Sequence, residues 1–422
     1  MEGLGWKLVP PKEALDGFLE KTQPKVLGEE LVPLQEALGR VLARDIVSEV
    51  NVPSANLVFL DGYALRAEDV QGASAEKPVR LKIAGKIIPG QPSAVKVSPG
   101  QAVYVSHYME VPEGADVVVS LESLEVGDGE IIVNRPFRAG LGILPKGDDI
   151  REGTPVLRKG CLLRPQDLAL LLALDKWEVP VVKKPKVAVI SVGNELVKLA
   201  EKTSAEAVGG FSMLISKLLF DLGALPMPEV VGDEVASIRE ALLSAAEKAD
   251  LILTIGGLSV GKEDFVPQAL NALDPPGVIV RGVALIPPWL TTLAVAGGKP
   301  VVCLPGRYVP LIGTFYYFAV PVLQMLSGVS ASLLPVVKAK MGHDAKAGPG
   351  RSFFMPVRLE REGATFTVKS TFRGPHPISS LTKAHGFIII QAGTILKQGE
   401  EVEVILFSRT EAAALLSQDF EA

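Results

Sequence analysis

Residues 250–265 read DLILTIGGLSVGKEDF. The apolar run Leu251 to Ile255 has the length and texture of a buried strand, and it feeds directly into a loop carrying Gly256, Gly257 and Gly261. Glycines there let the backbone take conformations closed to other residues and approach a ligand closely, while Ser259 adds a hydroxyl donor. A strand followed by such a loop suits a phosphate or pterin cradle, although many glycine loops after strands only turn the chain.

The same alternation continues on both sides. KVAVISVGNEL (186–196) reads as a strand entering a glycine turn, SMLISKLLFDLG (212–223) as a helix closed by Gly223, and MPEVVGDE (227–234) as a strand with an acidic end. VASIREALLSAAEKA (235–249) is a helix and KPVVCLPG (299–306) another strand. Strand and helix in repeated turn predict an α/β domain with a mainly parallel sheet. Ligands of such sheets sit at the carboxyl ends of the strands, where Gly193, Asp233, Gly256 and Pro305 fall.

Outside this block the texture changes. Apolar residues recur three and four apart over 11–18 and 34–43, predicting helices, and RDIVSEVNVP (44–53) is an extended exit. PQDLALLLALD (165–175) is helical again, opened by Pro165. Short β-like runs separated by Gly, Pro and Asp fill about 51–149, and β texture returns after about 331 as a small sandwich or barrel. The expected organisation is a split helical domain (1–50 and 150–182), a β-rich insertion (51–149), an α/β domain (183–330) and a C-terminal β domain (331–422).

Composition bounds the rest. With 422 residues, 48% hydrophobic and 22% charged, the chain is too long for one core and too apolar to be disordered. A net charge of -5 gives no general attraction to nucleic acid or to an acidic membrane, so any anion site must be local. Cys161 and Cys303 read as buried thiols of a reducing compartment, and the charged N-terminus is no signal peptide. The longest apolar run, YFAVPVLQML (317–326), is interrupted by Pro321, and the expected location is the cytoplasm.

Acidic residues supply the candidate chemistry: Asp61 in PSANLVFLDGYAL (53–65), Asp149, Glu195, Asp233 and Asp264, each at a turn or strand end. Together they could bind magnesium or orient a nucleotide; singly, each could be an ordinary turn residue, and Asp233 a helix cap. His107, His343, His376 and His385 have no metal-ligand spacing, and neither a G-x-S-x-G elbow nor a reactive-cysteine signature occurs.

LDGYALRAED, VPEGADVVV, KGDDI, VAVISVGNEL, IGGLSVGKEDF, VVCLPGR and HPISSLTKAHGFIII follow one another as they do in the molybdopterin molybdotransferase family of bacterial MoeA and the gephyrin E domain, which the whole chain resembles. The resemblance implies an elongated homodimer of four domains, including an α/β molybdopterin-binding domain and a C-terminal β barrel. It also implies magnesium-dependent insertion of molybdate into adenylylated molybdopterin with release of AMP. The site would lie in the α/β domain, completed by the β-rich domain of the other subunit.

On this resemblance Asp61, Asp149, Glu195, Asp233 and Asp264 are the catalytic acids, with Asp233 and Asp264 as magnesium ligands. Gly193, Gly256, Gly257, Ser259, Gly261, Pro305, Gly306 and Arg307 line the cofactor. Several family positions are replaced. F-D-N-S-A-M-D-G-Y reads Ala55 to Tyr63 with an apolar rim, T-G-A-P-x-P-x-G reads His107 to Gly114, and D-[ST]-N-S reads Gly209, Gly210, Phe211, Ser212. The lysines of K-P-G-K are Ile286 and Trp289, and L-P-G-N-P has become Leu304 to Tyr308 with Arg307 as a new cation. Carboxylates without those lysines would repel molybdate and pyrophosphate unless another cation compensates. The apolar approach to Asp61 then reads as a partly filled anion pocket. The alternative function is a non-catalytic molybdopterin-binding or scaffold protein that docks other cofactor-biosynthesis proteins.

Overall fold

A computed structural model describes residues 8–90, 95–202, 209–258, 264–287, 290–363, 365–408 and 410–412. The chain opens with α1 (Pro11–Thr22), whose Ala14 and Phe18 are fully buried in the core of the α/β unit. Then come β1 (Glu29–Pro33) and β2 (Ile46–Val47). The helix expected over 34–43 does not form. A short 3-10 turn at Leu34–Glu36 is followed by Gly39 in the left-handed region, and Val41 and Leu42 bridge to Leu162 and Val181.

The β-rich segment comprises β3 (Leu57–Val58), β4 (Gly62–Leu65), β5 (Val79–Ile87), β6 (Gln101–Val105), β7 (Val117–Ser120), β8 (Glu125–Val126), β9 (Glu130–Val133) and β10 (Ile143–Leu144). Six of them form a sheet in the order β7-β4-β6-β5-β9-β8, while β3 pairs with β10. The chain returns through β11 (Pro155–Leu157), paired with β2, then α2 (Pro165–Ala173) and β12 (Glu178–Val182), paired with β1. Returning and outgoing segments are therefore stitched together by antiparallel ladders.

The α/β unit follows the predicted alternation: β13 (Lys186–Val192), α3 (Asn194–Ala200), α4 (Gly209–Asp221), β14 (Leu225–Val231), α5 (Val235–Lys248), β15 (Leu251–Ile255), α6 (Phe265–Asn271). β16 (Val278–Arg281), β17 (Leu285–Ile286), β18 (Thr292–Ala296), β19 (Lys299–Leu304), α7 (Tyr308–Thr314) and α8 (Val320–Ser327) complete it. The sheet order is β14-β13-β15-β19-β18-β16, parallel through β19 and antiparallel over the last two strands. The strands carry apolar residues on both faces because helices cover both, as a parallel sheet requires.

Pro321, expected to interrupt the apolar run, does not break the helix that carries it. Helix runs through Tyr308–Ser327, with a π turn at Phe315–Ala319 just ahead of the proline. A widened turn accommodates a residue that cannot donate its own N–H. That helix is long and apolar enough to span a membrane, but it lies mostly buried against the sheet.

The last unit contains β20 (Val336–Met341), β21 (Ala345–Lys346), β22 (Ser352–Glu362), β23 (Thr365–Ser370), α9 (Ser379–Thr382), β24 (Gly386–Ile390), β25 (Ile395–Leu396) and β26 (Glu401–Leu406). The order β22-β23-β20-β26-β24 closes on itself through β22–β24 pairing, giving a five-stranded barrel. β17 adds to β22 and so ties the barrel to the α/β unit.

Candidate functional site

Because β14, β13, β15 and β19 are adjacent and parallel, the loops that follow them share one edge. Gly193, Asp233, Gly256 and Pro305 sit there as expected, with β15 and β19 at the centre. Gly256 and Gly257 have φ of +86° and +63°. A Cβ on Gly256 would stand 2.9 Å from the Val192 carbonyl oxygen, and one on Gly257 2.6 Å from Val266 Cγ2. Torsion and space both require glycine at these two positions. The Gly256 N–H donates to the Leu304 carbonyl (3.2 Å), and a Cβ on Gly306 would lie 3.9 Å from Gly256 Cα. The two central loops thus abut through bare backbone. Ser259 and Gly261 lie outside the described residues.

The acids fall into two sets. Glu195, on the first turn of α3, folds back over Gly193, where a Cβ would meet its Oε1 at 2.6 Å. Asp233 does not cap α5. Its Oδ2 accepts the Asn194 backbone N–H at 2.9 Å, and Asn194 Oδ1 accepts the Asp233 N–H at 3.1 Å. This reciprocal pair locks the start of α3 to the end of β14.

Asp264 caps α6 by position and is 2% exposed. Its carboxylate is hydrogen-bonded and ion-paired to the Arg281 guanidinium at the end of β16. Burial pulls the Arg281 guanidinium below its ordinary pKa. Removing Arg281 would leave the buried Asp264 carboxylate without this partner, a costly loss.

Asp61 and Asp149 belong to the β-rich unit and its connecting leg. Asp61 Oδ1 accepts the His107 N–H at 2.8 Å and lies 3.6 Å from His107 Nδ1, bracing the turn before Met109. Asp149 immediately precedes Ile150, which bridges to Val52, and its own N–H donates to Val52 O at 3.1 Å. Since β3 and β10 pair antiparallel through Val58 and Ile143, the two acids stand at opposite ends of that ladder. The filled pocket expected beside Asp61 is not formed within one chain: Phe59 and Tyr108 are 70% and 68% exposed.

A magnesium site needs several open oxygens in near-octahedral array. Asp233 spends one oxygen on Asn194, and Asp264 is buried against a guanidinium. Among the described residues no three His, Cys, Asp or Glu side chains converge to hold a metal. The expected ligands Asp233 and Asp264 therefore do not fit magnesium as they are arranged.

Two replaced positions meet each other. The Phe211 and Tyr308 rings pack edge to face at 4.7 Å between centroids, and a Cβ on Gly210 would stand 3.1 Å from the Tyr308 hydroxyl. They join the starts of α4 and α7 beside the glycine floor. Arg307 is exposed at the N-terminus of α7, and its N–H turns back to Pro305 O at 2.9 Å. Ile286 lies on β17, while Trp289 is outside the described residues. Of the thiols, Cys303 is buried and pushed up to about 12 by burial, whereas Cys161 is only half-buried.

Sequence reasoning missed Arg281. The signal was there: a lone arginine in VIVRGVAL is a charge in an apolar strand, and such a charge needs a partner.

Residues 9–174 match the MoeA N-terminal region (domain I and II), 188–325 a probable molybdopterin binding domain, and 338–407 the MoeA C-terminal region (domain IV). The chain is 30% identical over 385 residues to the molybdopterin molybdenumtransferase of Staphylococcus epidermidis, covering 89% of this chain and 90% of that one. It is 29% identical over 408 residues to that of Staphylococcus aureus, covering 94% and 95%. The crystal structure of the molybdopterin biosynthesis MoeA protein of Pyrococcus horikoshii superposes with a TM-score of 0.81 at 32% identity, over 95% of this chain and 100% of that one. With all three regions in order along its length, the chain belongs to the MoeA family of molybdenum cofactor biosynthesis proteins.

Proposed function

We propose that the chain is a molybdopterin molybdenumtransferase that inserts molybdate into adenylylated molybdopterin and releases AMP. The observation that carries this reading is the bare backbone floor of Gly256, Gly257 and Gly306 at the carboxyl edge of the sheet, inside the segment that matches a molybdopterin binding domain. A glycine floor lets an anionic ligand approach the backbone closely with no side chain in the way, although the Gly256 N–H itself is spent on Leu304 O. Cleavage consumes one water: its oxygen joins the adenylyl phosphorus as the bond to the molybdopterin phosphate breaks. Glu195, folded over Gly193, is an exposed carboxylate at that edge placed to take the proton. Magnesium, which the resemblance implies, has no step here because its expected ligands are otherwise engaged. Asp61 and Asp149 serve the edge of a second copy in a homodimer.

The second reading, a molybdopterin carrier or scaffold, is favoured by the Phe211–Tyr308 contact, which crowds the edge, and by Ile286 in place of a lysine. Calorimetric titration with molybdopterin and its adenylylated form, run beside an AMP-release assay with and without molybdate, separates them. Binding with molybdate-dependent AMP release supports the transferase; binding without release supports the carrier, and no binding sinks both ligand readings.

A further inference from the structure

We infer that Arg281 occupies the cation position at Asp264, so that this carboxylate holds a guanidinium beside the glycine loop and is not a ligand for a divalent metal. The inference deepens the transferase reading and rests on it for the identity of the substrate.

Three observations carry it. Asp264 is 2% exposed and lies directly after the glycine loop, so its negative charge needs a partner in place, and Arg281 is that partner through both a hydrogen bond and an ion pair. The partner is fixed by the fold: α6 packs against β16 and β18, and Arg281 ends β16 in register with Thr292. The charges also cancel within the pair. A divalent ion entering at Asp264 would face a guanidinium at contact distance, or would displace it and leave a partly buried cation unpaired. Arg281 is not sealed in, since 34% of its side chain remains accessible, so a bound anion can share its donors. That charge stands on the strand before Ile286, where the resemblance expects a lysine. Asp264 is on this account a positioning residue for Arg281.

The test is Mn²⁺ titration followed by electron paramagnetic resonance on the full-length wild type and on Asp264→Asn. Equal Mn²⁺ binding by the two, within about twofold, supports the assignment. A wild-type site that Asp264→Asn weakens tenfold or more overturns it. Should Asp264→Asn fail to fold, the wild type decides alone: with ¹⁵N-labelled arginine, assigned against Arg281→Lys, Arg281 side-chain N–H signals unmoved by millimolar Mg²⁺ support the assignment. Signals shifted or lost on adding Mg²⁺ overturn it. Titrating molybdopterin with and without a chelator keeps the two readings apart. If molybdopterin does not bind at all, the proposed function fails while the Mn²⁺ comparison still judges Arg281.

Discussion

At Gly257 backbone torsion and lack of room act together. Alanine there must adopt φ near +63° and also push Val266, a buried residue of α6. Gly39 supplies the contrast, with φ +70° and nothing within 4 Å of a Cβ. Gly39→Ala is expected to lose only the torsional cost, about 1 kcal/mol, and Gly257→Ala about 2–3 kcal/mol because overpacking adds to it. Urea denaturation of both variants checks this; equal losses would show that Val266 yields freely. The glycine loop was legible because strand, glycine pair and following helix are local signals. The Asp264–Arg281 pair was not, because it joins a helix start to a strand end through packing that no short window contains.

At the scale of elements, the α/β alternation was readable because each strand is a continuous apolar run and each helix carries its own period. Residues 34–43 misled for a physical reason. Leu34, Ala37 and Arg40 are buried every third residue, as a 3-10 turn and a bridged segment produce, and ten residues of such spacing look helical. The barrel seam yields a prediction. His385 Nδ1 accepts the Leu359 N–H at 3.1 Å, so its ring holds β22 in the neutral form, while its backbone N–H and C=O link Val357 of β22 to Phe407 after β26. Burial first, and Arg358 second, hold its pKa below the ordinary 6.5. As pH falls below about 6.5 the unfolded chain takes up that proton before the folded one, so stability present above this pH is lost on acidification. Denaturant midpoints for wild type and His385→Asn between about pH 7 and about pH 5 are expected to converge, the wild type falling more steeply. Parallel curves would remove His385 from the account.

Across the whole molecule, the β-rich unit has cores of its own, built on Tyr63, Leu65, Leu81 and Ile131 on one face and on Val58, Val103 and Val118 on the other. Among the described residues it is stitched to its neighbours at paired legs, where Val52 N–H donates to Ile150 O (2.7 Å) and Ser48 and Thr154 close the next rung. The change of texture near 51 and 149 was visible because apolar runs shorten and turns multiply. Which acids share a site was not, since Asp61 and Asp149 travel with this unit and Glu195 and Asp233 with the α/β edge. If one reaction uses both sets, a second copy brings the missing one, and mixing exposes it. Asp61→Asn and Glu195→Gln chains, each inactive alone, are expected to regain AMP release when co-expressed. Random pairing makes about half the dimers mixed, each with one intact site of two, so recovery should approach about a quarter of wild type. Native mass spectrometry establishes whether mixed dimers of the 44.8 kDa chain are present. Mixed dimers without recovered activity would place each complete site within one chain.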